Sequence, residues 1–118
     1  MITRISTPYS YSSAVVAGDY VYLGLHRGFG ENFTEQIHNT LLYLKGTLSE
    51  CGMSLESLVK VNVYLKNIKD LPEMEKVFLE YFEMNKFPAR MTSTTEFFDN
   101  DCLMMIDGVA YKATEKRD

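Results

Sequence analysis

The chain has no tryptophan, two cysteines, three prolines and two histidines among its 118 residues. Two cysteines, Cys51 and Cys102, are too few for the disulfide framework of a small secreted scaffold, so a reducing, cytoplasmic setting is expected. The histidines, His26 and His38, belong to no cluster with zinc-ligand spacing, and no His-Glu-x-x-His is present. A phosphate-binding loop is missing, and Gly28-Phe29-Gly30 lacks the third glycine of a dinucleotide fingerprint. No apolar run approaches the roughly 18 residues that a membrane span needs, and Met1-Ile2-Thr3-Arg4 does not open the apolar core of a signal peptide. Positive charge is scarce as well. Twelve Lys and Arg stand against sixteen Asp and Glu, for a net charge of −4 and an isoelectric point of about 5.2. That balance weighs against a partner held by its phosphate backbone and leaves only a local basic groove as a route to nucleic acid.

What is present is the composition of a soluble globular protein, 46% hydrophobic and 24% charged, at a length that suits one domain over residues 1–118. Residues 2–6 can form a short first strand, followed by a loop at Pro8 and the Tyr/Ser cluster. Ala14–Val16 and Tyr20–Leu23 flank the turn signal Ala17-Gly18-Asp19 and make a hairpin. Gly24–Gly30 then reads as a glycine-rich loop, in which His26 is an acid/base candidate or, as the plainer reading, a solvated side chain. Asn32 caps a helix, with Glu35 completing a capping box. Ile37, Leu41, Leu44, Leu48 and Cys51 form its buried stripe, and Gly52 follows as the C′ residue. Cys51 reads as core rather than nucleophile. His38 lies one position off the stripe, at the surface.

Val59, Val61, Val63 and Leu65 alternate with Lys60, Asn62, Tyr64 and Lys66, which predicts a strand with one packed face. After a turn at residues 67–70, Asp70, Pro72 and Glu73 start a second helix that buries Met74, Val77, Phe78, Tyr81 and Phe82. A strand runs from the Phe87–Arg90 turn to about Phe97. Beyond the turn Asp99-Asn100-Asp101, Cys102–Lys112 is the longest strand candidate. Leu103, Met105, Asp107, Val109 and Tyr111 share one face of it, and the other face is equally apolar. A central strand is expected, with helices on one side. A chain this short has no second layer for the far side, so oligomerisation through the sheet is expected. Asp107 on such a strand must be paired, as with an arginine, or face a wet cleft, because a buried lone carboxylate is costly. Thr114–Asp118 reads as a polar, frayed tail. The overall pattern is α+β, two helices on one face of a mixed, mainly antiparallel sheet.

Phe87-Pro88-Ala89-Arg90 is the stretch around which a site can be built. Pro88 drives Phe87 extended and fixes its own φ, so the chain enters the next strand at a set angle. Arg90 then sits at a strand end, where a planar, always-charged guanidinium can take a carboxylate bidentately. The plainer reading is a surface arginine.

In this order, several segments resemble the reactive intermediate deaminase family (Rid, YjgF-like, endoribonuclease L-PSP-like). They are a Pro-Tyr pair near the N-terminus, Ala17-Gly18-Asp19-Tyr20-Val21-Tyr22 and Glu50-Cys51-Gly52-Met53-Ser54-Leu55. Val59-Lys60-Val61-Asn62-Val63-Tyr64-Leu65, Phe87-Pro88-Ala89-Arg90 and Ile106-Asp107-Gly108-Val109-Ala110 complete the set. The resemblance spans roughly residues 8–112. It implies a chorismate-mutase-like α+β sandwich, a homotrimer with clefts between subunits, no cofactor, and hydrolysis of 2-imino or enamino acids to 2-oxo acids and ammonia.

Carried onto this sequence, the resemblance makes Arg90 the substrate carboxylate anchor. Tyr11 lines the pocket, with Tyr9 as a second claimant. The family's Ser-Gly-Gln after the hairpin is Gly24-Leu25-His26 here, its pocket asparagine is Glu75, and its cysteine two residues past the arginine is Thr92. The glutamate that positions the attacking water aligns with Met105, and methionine cannot orient or deprotonate water. Asp107, two residues on and on the same strand face, aligns with a second family acid. Strand rise puts its carboxylate roughly 6–7 Å from the family position. The site expectation is therefore Arg90, Thr92 and Asp107 as catalytic groups, with Tyr11, Gly24, Leu25, Glu75 and Met105 in substrate binding and His26 or Glu75 as alternative polar groups. Two other functions stay open. One is a binder that keeps the Arg90 anchor without hydrolysis, with Met105 as its signature. The other, against the acidic balance and the lack of a His pair, is RNA cleavage.

Overall fold

The computed structural model describes residues 1–113. Six strands and two helices follow in the order β1 (Ile2–Ser6), β2 (Ser12–Ala17), β3 (Tyr20–His26), α1 (Phe33–Glu50), β4 (Leu58–Leu65), α2 (Leu71–Tyr81), β5 (Ala89–Thr94) and β6 (Met104–Tyr111). Short 3₁₀ turns at Leu55–Ser57 and Ile68–Asp70 lead into β4 and α2. The strands form one sheet in the order β1-β2-β3-β6-β4-β5. Every pairing is antiparallel except β4 with β5. The expected class holds, two helices on one face of a mixed sheet, with β6 central. The expected tail at Thr114–Asp118 lies outside the described residues. Among the described residues, no helix is long and apolar enough to cross a membrane.

The core lies between the helices and one face of the sheet. Ile37, Leu41, Leu44 and Leu48 from α1 and Met74, Val77 and Phe78 from α2 pack on Val21, Leu23, Val61, Val63, Leu65, Met104 and Ile106. These are the positions that period 3.6 and period 2 select. Asn32 caps α1, its side chain accepting from the Glu35 N–H at 2.9 Å. The capping box is displaced by one residue, since Glu35 returns to the Glu31 N–H at 2.8 Å. Gly52 follows the helix at φ 75°, the left-handed position where a side chain would strain.

Several expectations need correction. Val59 is exposed at 45%, and Leu58 takes its place in the core. The register shifts between Leu58 and Lys60, so Val59 is the extra residue of a bulge that restores alternation from Lys60 onward. β3 runs on to His26 rather than ending at Leu23, β5 ends at Thr94 rather than near Phe97, and β6 begins at Met104 rather than Cys102. Tyr81 is only half-buried, its hydroxyl 2.8 Å from His38 Nδ1. His38 is therefore tied to α2 rather than free at the surface.

Candidate functional site

β5 runs beside β4 with Arg90 next to Val61 and Thr92 next to Val63. Neighbours in register share a face, so Arg90 and Thr92 lie on the helix side of the sheet. Pro88 is buried just before the strand and sets that entry. The Arg90 guanidinium lies 5.8 Å from the Phe78 ring centre, and its Nη2 donates to Glu75 Oε2 at 2.7 Å. Together with Leu79, Phe87 and Pro88 these residues border a shallow cavity of about 280 Å³. Thr92 Oγ1 is buried and has no hydrogen-bond partner among the described residues.

Asp107 lies on the other face. It pairs with Asn62 across β6 and β4, while Met105 pairs with Tyr64. Asn62 Nδ2 donates to Asp107 Oδ1 at 2.8 Å, and the Tyr64 hydroxyl donates to Oδ2 at 3.0 Å. The expected alternatives for Asp107 thus both hold in part: it is paired, though not with an arginine, and it faces a cavity. Burial, then the hydrogen bond to Asp107, raises the Tyr64 pKa, which keeps its hydroxyl a donor.

That cavity, of about 750 Å³, gathers Tyr9, Tyr11, Gly24, Leu25, Met105 and Asp107. Its position follows from the sheet. β3 and β6 pair Leu23 with Gly108 and His26 with Ile106, so Gly24 and Leu25 together oppose Asp107 in a bulge. Gly24 has to be glycine there, because a Cβ would come within 2.9 Å of the Ser12 carbonyl oxygen on β2. Tyr9 and Tyr11 stack with ring centres 6.3 Å apart.

His26 is neither solvated nor in a loop. It is fully buried as the last residue of β3. Its Nδ1 lies 2.8 Å from the Gly24 carbonyl and its Nε2 3.0 Å from Thr47 Oγ1. Burial lowers its pKa, only partly opposed by the Gly24 bond. The ring is therefore neutral, with Nδ1–H donating to Gly24 and Nε2 accepting from Thr47. His26 meets the cavity wall only from behind, through the backbone of Gly24 and through Tyr43, whose ring lies 4.3 Å away and lines the cavity. Burial raises the pKa of both Cys51 and Cys102, which favours the protonated thiol over the nucleophilic thiolate.

Sequence reasoning missed Arg27, Phe29, Tyr43 and Phe98, which complete the cavity wall. Arg27 is buried to 11% side-chain exposure and faces Asp99 and Asp101 at 3.6 Å each. Its guanidinium carbon sits 4.1 Å above the Phe29 ring centre. The four residues come from three separate segments, the loop after β3, α1 and the loop after β5, and only the fold brings them together. Among the described residues, no group of three or more His, Cys, Asp or Glu could hold a metal.

The sequence model of the family described as Endoribonuclease L-PSP matches residues 1–112. The chain belongs to this family, the Rid or YjgF-like proteins. A RutC family protein of Pyrococcus abyssi is 33% identical over 110 residues, 86% of this chain and 86% of the relative. A protein of Dermatophagoides farinae named 2-iminobutanoate/2-iminopropanoate deaminase is 30% identical over 102 residues, 75% of this chain and 79% of its own. Among solved structures, a YjgF family member from Neisseria meningitidis superposes with a TM-score of 0.91 at 25% identity, covering 98% of each chain.

Proposed function

We propose that this Rid-family protein hydrolyses reactive 2-imino or enamino acids to 2-oxo acids and ammonia, without a cofactor, in clefts between the subunits of a cytoplasmic homotrimer. The observation that carries the proposal is the division of the site. Arg90 and Thr92 stand on the helix face of the edge strand, while Asp107, Met105, Gly24 and Tyr11 surround a cavity that opens on the other face. One chain cannot place an anchor from the first set against the second, but two copies in a closed ring can. The uncovered sheet face supports the same reading. Tyr20, Tyr22 and Tyr111 lie exposed on it, with the Tyr20 ring stacked on Tyr22 and tilted against Tyr111, an apolar patch that suits a second copy.

In that cleft Arg90 holds the substrate carboxylate, with Glu75 swinging aside. The iminium carbon is already electrophilic, so a positioned water and a modest base suffice. Asp107, aimed by Asn62 and Tyr64, accepts a proton from the water as its oxygen bonds to C2. The proton passes to the amine nitrogen of the resulting carbinolamine. The C–N bond breaks, the C2 hydroxyl loses its proton, and ammonia leaves the 2-oxo acid. Thr92 Oγ1, which has no hydrogen-bond partner among the described residues, and the backbone at Gly24–Leu25 hold the water or the departing ammonia.

Met105 favours a second reading, a small-carboxylate binder without hydrolysis, because it stands where the resemblance places the water-positioning glutamate. RNA cleavage is not favoured. His26 is buried and neutral, His38 is bonded to Tyr81, and the charge balance is acidic. Ammonia release from 2-imino acids generated in situ by an amino acid oxidase separates the first two. Acceleration that Arg90→Ala abolishes supports the deaminase; no acceleration, with Arg90-dependent binding of 2-oxobutanoate, makes the protein a binder.

A further inference from the structure

The cavity around Asp107 is larger and more apolar than a three- or four-carbon acid requires. Its volume of about 750 Å³ falls in the range of roughly 300–1,000 Å³ that encloses drug-sized ligands, whose pockets are mostly apolar with a few convergent polar groups. Asp107 is such a polar group here. Around it stand Met105, Leu25, Phe29, Tyr43 and Phe98. Phe98 is fully exposed at 101% and Phe29 at 66%. In the proposed cleft a second copy closes over this mouth, so the two rings become part of an enclosed apolar wall that an apolar substrate side chain can contact. A neighbouring cavity of about 460 Å³ shares Leu25, Phe98, Met105 and Asp107 with the first, so the apolar lining extends past the carboxylate.

We propose that the substrate side chain received here is bulky and apolar, aromatic before aliphatic, so that the preferred substrates are 2-imino acids with arylmethyl or long branched side chains. This specificity rests on the deaminase reading of the same site. Met105 is central to it, because a carboxylate in its place would set a desolvated charge against an apolar side chain. The competing inference from the lining is a second acidic group on the substrate, held by Arg27. That guanidinium already faces Asp99 and Asp101 through one terminal nitrogen at 3.6 Å each, and although neither terminal nitrogen has a hydrogen-bond partner among the described residues, both are shielded from solvent and so from an entering ligand. Two carboxylates against one buried cation leave no excess positive charge for a third.

The test compares imino acids generated from alanine, aspartate, leucine and phenylalanine by matching amino acid oxidases. Ammonia release gives kcat/KM for the wild type, Met105→Glu and Phe98→Ala. In the wild type the phenylalanine-derived substrate should exceed the alanine-derived one by at least about tenfold, a range open to apolar pocket discrimination. Either variant should shrink that ratio. A preference for the alanine- or aspartate-derived substrate, or a ratio unchanged in both variants, overturns the proposal. Calorimetric binding of phenylpyruvate against pyruvate keeps the question separate from catalysis. If no imine is hydrolysed, the deaminase reading fails and the binding ratio alone decides: tighter phenylpyruvate upholds the apolar chamber, and equal or weaker binding sinks it.

Discussion

Arg90 and Asp107 occupy opposite faces of one sheet, Arg90 beside Val61 on the helix side and Asp107 bonded to Asn62 on the other. A site that uses both must therefore be assembled from two copies, which makes it open to subunit complementation. Arg90→Ala and Asp107→Asn should each abolish imine hydrolysis, and Arg90→Ala should also lose binding of 2-oxobutanoate by calorimetry. When the two variants are unfolded, mixed in equal amounts and refolded together, about a quarter of the clefts should combine an intact Arg90 with an intact Asp107, by random closure of a heterologous ring. Activity should return in proportion. Native mass spectrometry should show mixed trimers; a monomer at micromolar concentration, or mixed trimers without activity, would refute the divided site.

The ion pair between Arg90 and Glu75 competes with the ligand for the same guanidinium. Glu75 is half-exposed, and exposed pairs are worth roughly 0.2–1 kcal/mol. Glu75→Gln should therefore tighten 2-oxobutanoate binding by about 1.5- to 5-fold at low salt. The advantage should shrink at high ionic strength, where the pair is screened already. Weaker binding in Glu75→Gln would instead make Glu75 a direct contact to the ligand.

His26 shows where sequence patterning stops. A histidine after Gly24 and before two more glycines reads as loop, because nothing local says that β3 continues. It continues through a bulge at Gly24–Leu25, and the ring turns into the core to meet Thr47 from α1. The same limit applies at Val59, where alternation named the right face but slipped by one residue at the bulge. The helices and their buried stripes were legible because period 3.6 over three or more turns is unambiguous. The Pro-Ala-Arg segment and Asp107 could be named from the sequence as candidate groups. Their placement on opposite faces was not, since register between strands distant in sequence is a tertiary property. Gly28 looked like part of a failed nucleotide motif. Its actual constraint is packing: a Cβ would fall 2.4 Å from the Thr40 nitrogen of α1.

The buried His26 also sets a pH dependence of stability. Its folded pKa lies below the ordinary 6.5, so between the two values the unfolded chain binds more protons than the folded one. Stability from this group is fully present above pH 6.5 and is lost as pH falls toward the folded pKa, with a slope of at most about 1.4 kcal/mol per pH unit. The thermal midpoint should drop between about pH 7.5 and pH 5.5 in the wild type. His26→Gln should cost about 1–3 kcal/mol at neutral pH through its lost partners and should flatten the acid limb. An acid limb as steep in the variant as in the wild type would assign the effect to other groups.

Tyr64 reaches Asp107 Oδ2 from the neighbouring strand and holds the carboxylate in one orientation. In the proposed cleft Arg90 holds the carboxylate and Asp107 serves the reacting carbon, so Tyr64, which acts through Asp107, is a positioning residue. Tyr64→Phe removes one hydroxyl, and with it one of the two hydrogen bonds that aim Asp107. The Phe ring still fills the same space against Met105, so the fold should survive with a loss of about 1 kcal/mol or less. Turnover should fall by about 3- to 30-fold, because a misaligned base loses part of the roughly 10²–10⁴-fold it contributes. KM and the affinity for 2-oxo acids should stay within about twofold, since ground-state binding rests on Arg90. Kinetics with the preferred imine, alongside calorimetry, read the two effects separately. A rise in KM with unchanged kcat would place the hydroxyl in substrate binding and remove Asp107 orientation as its role.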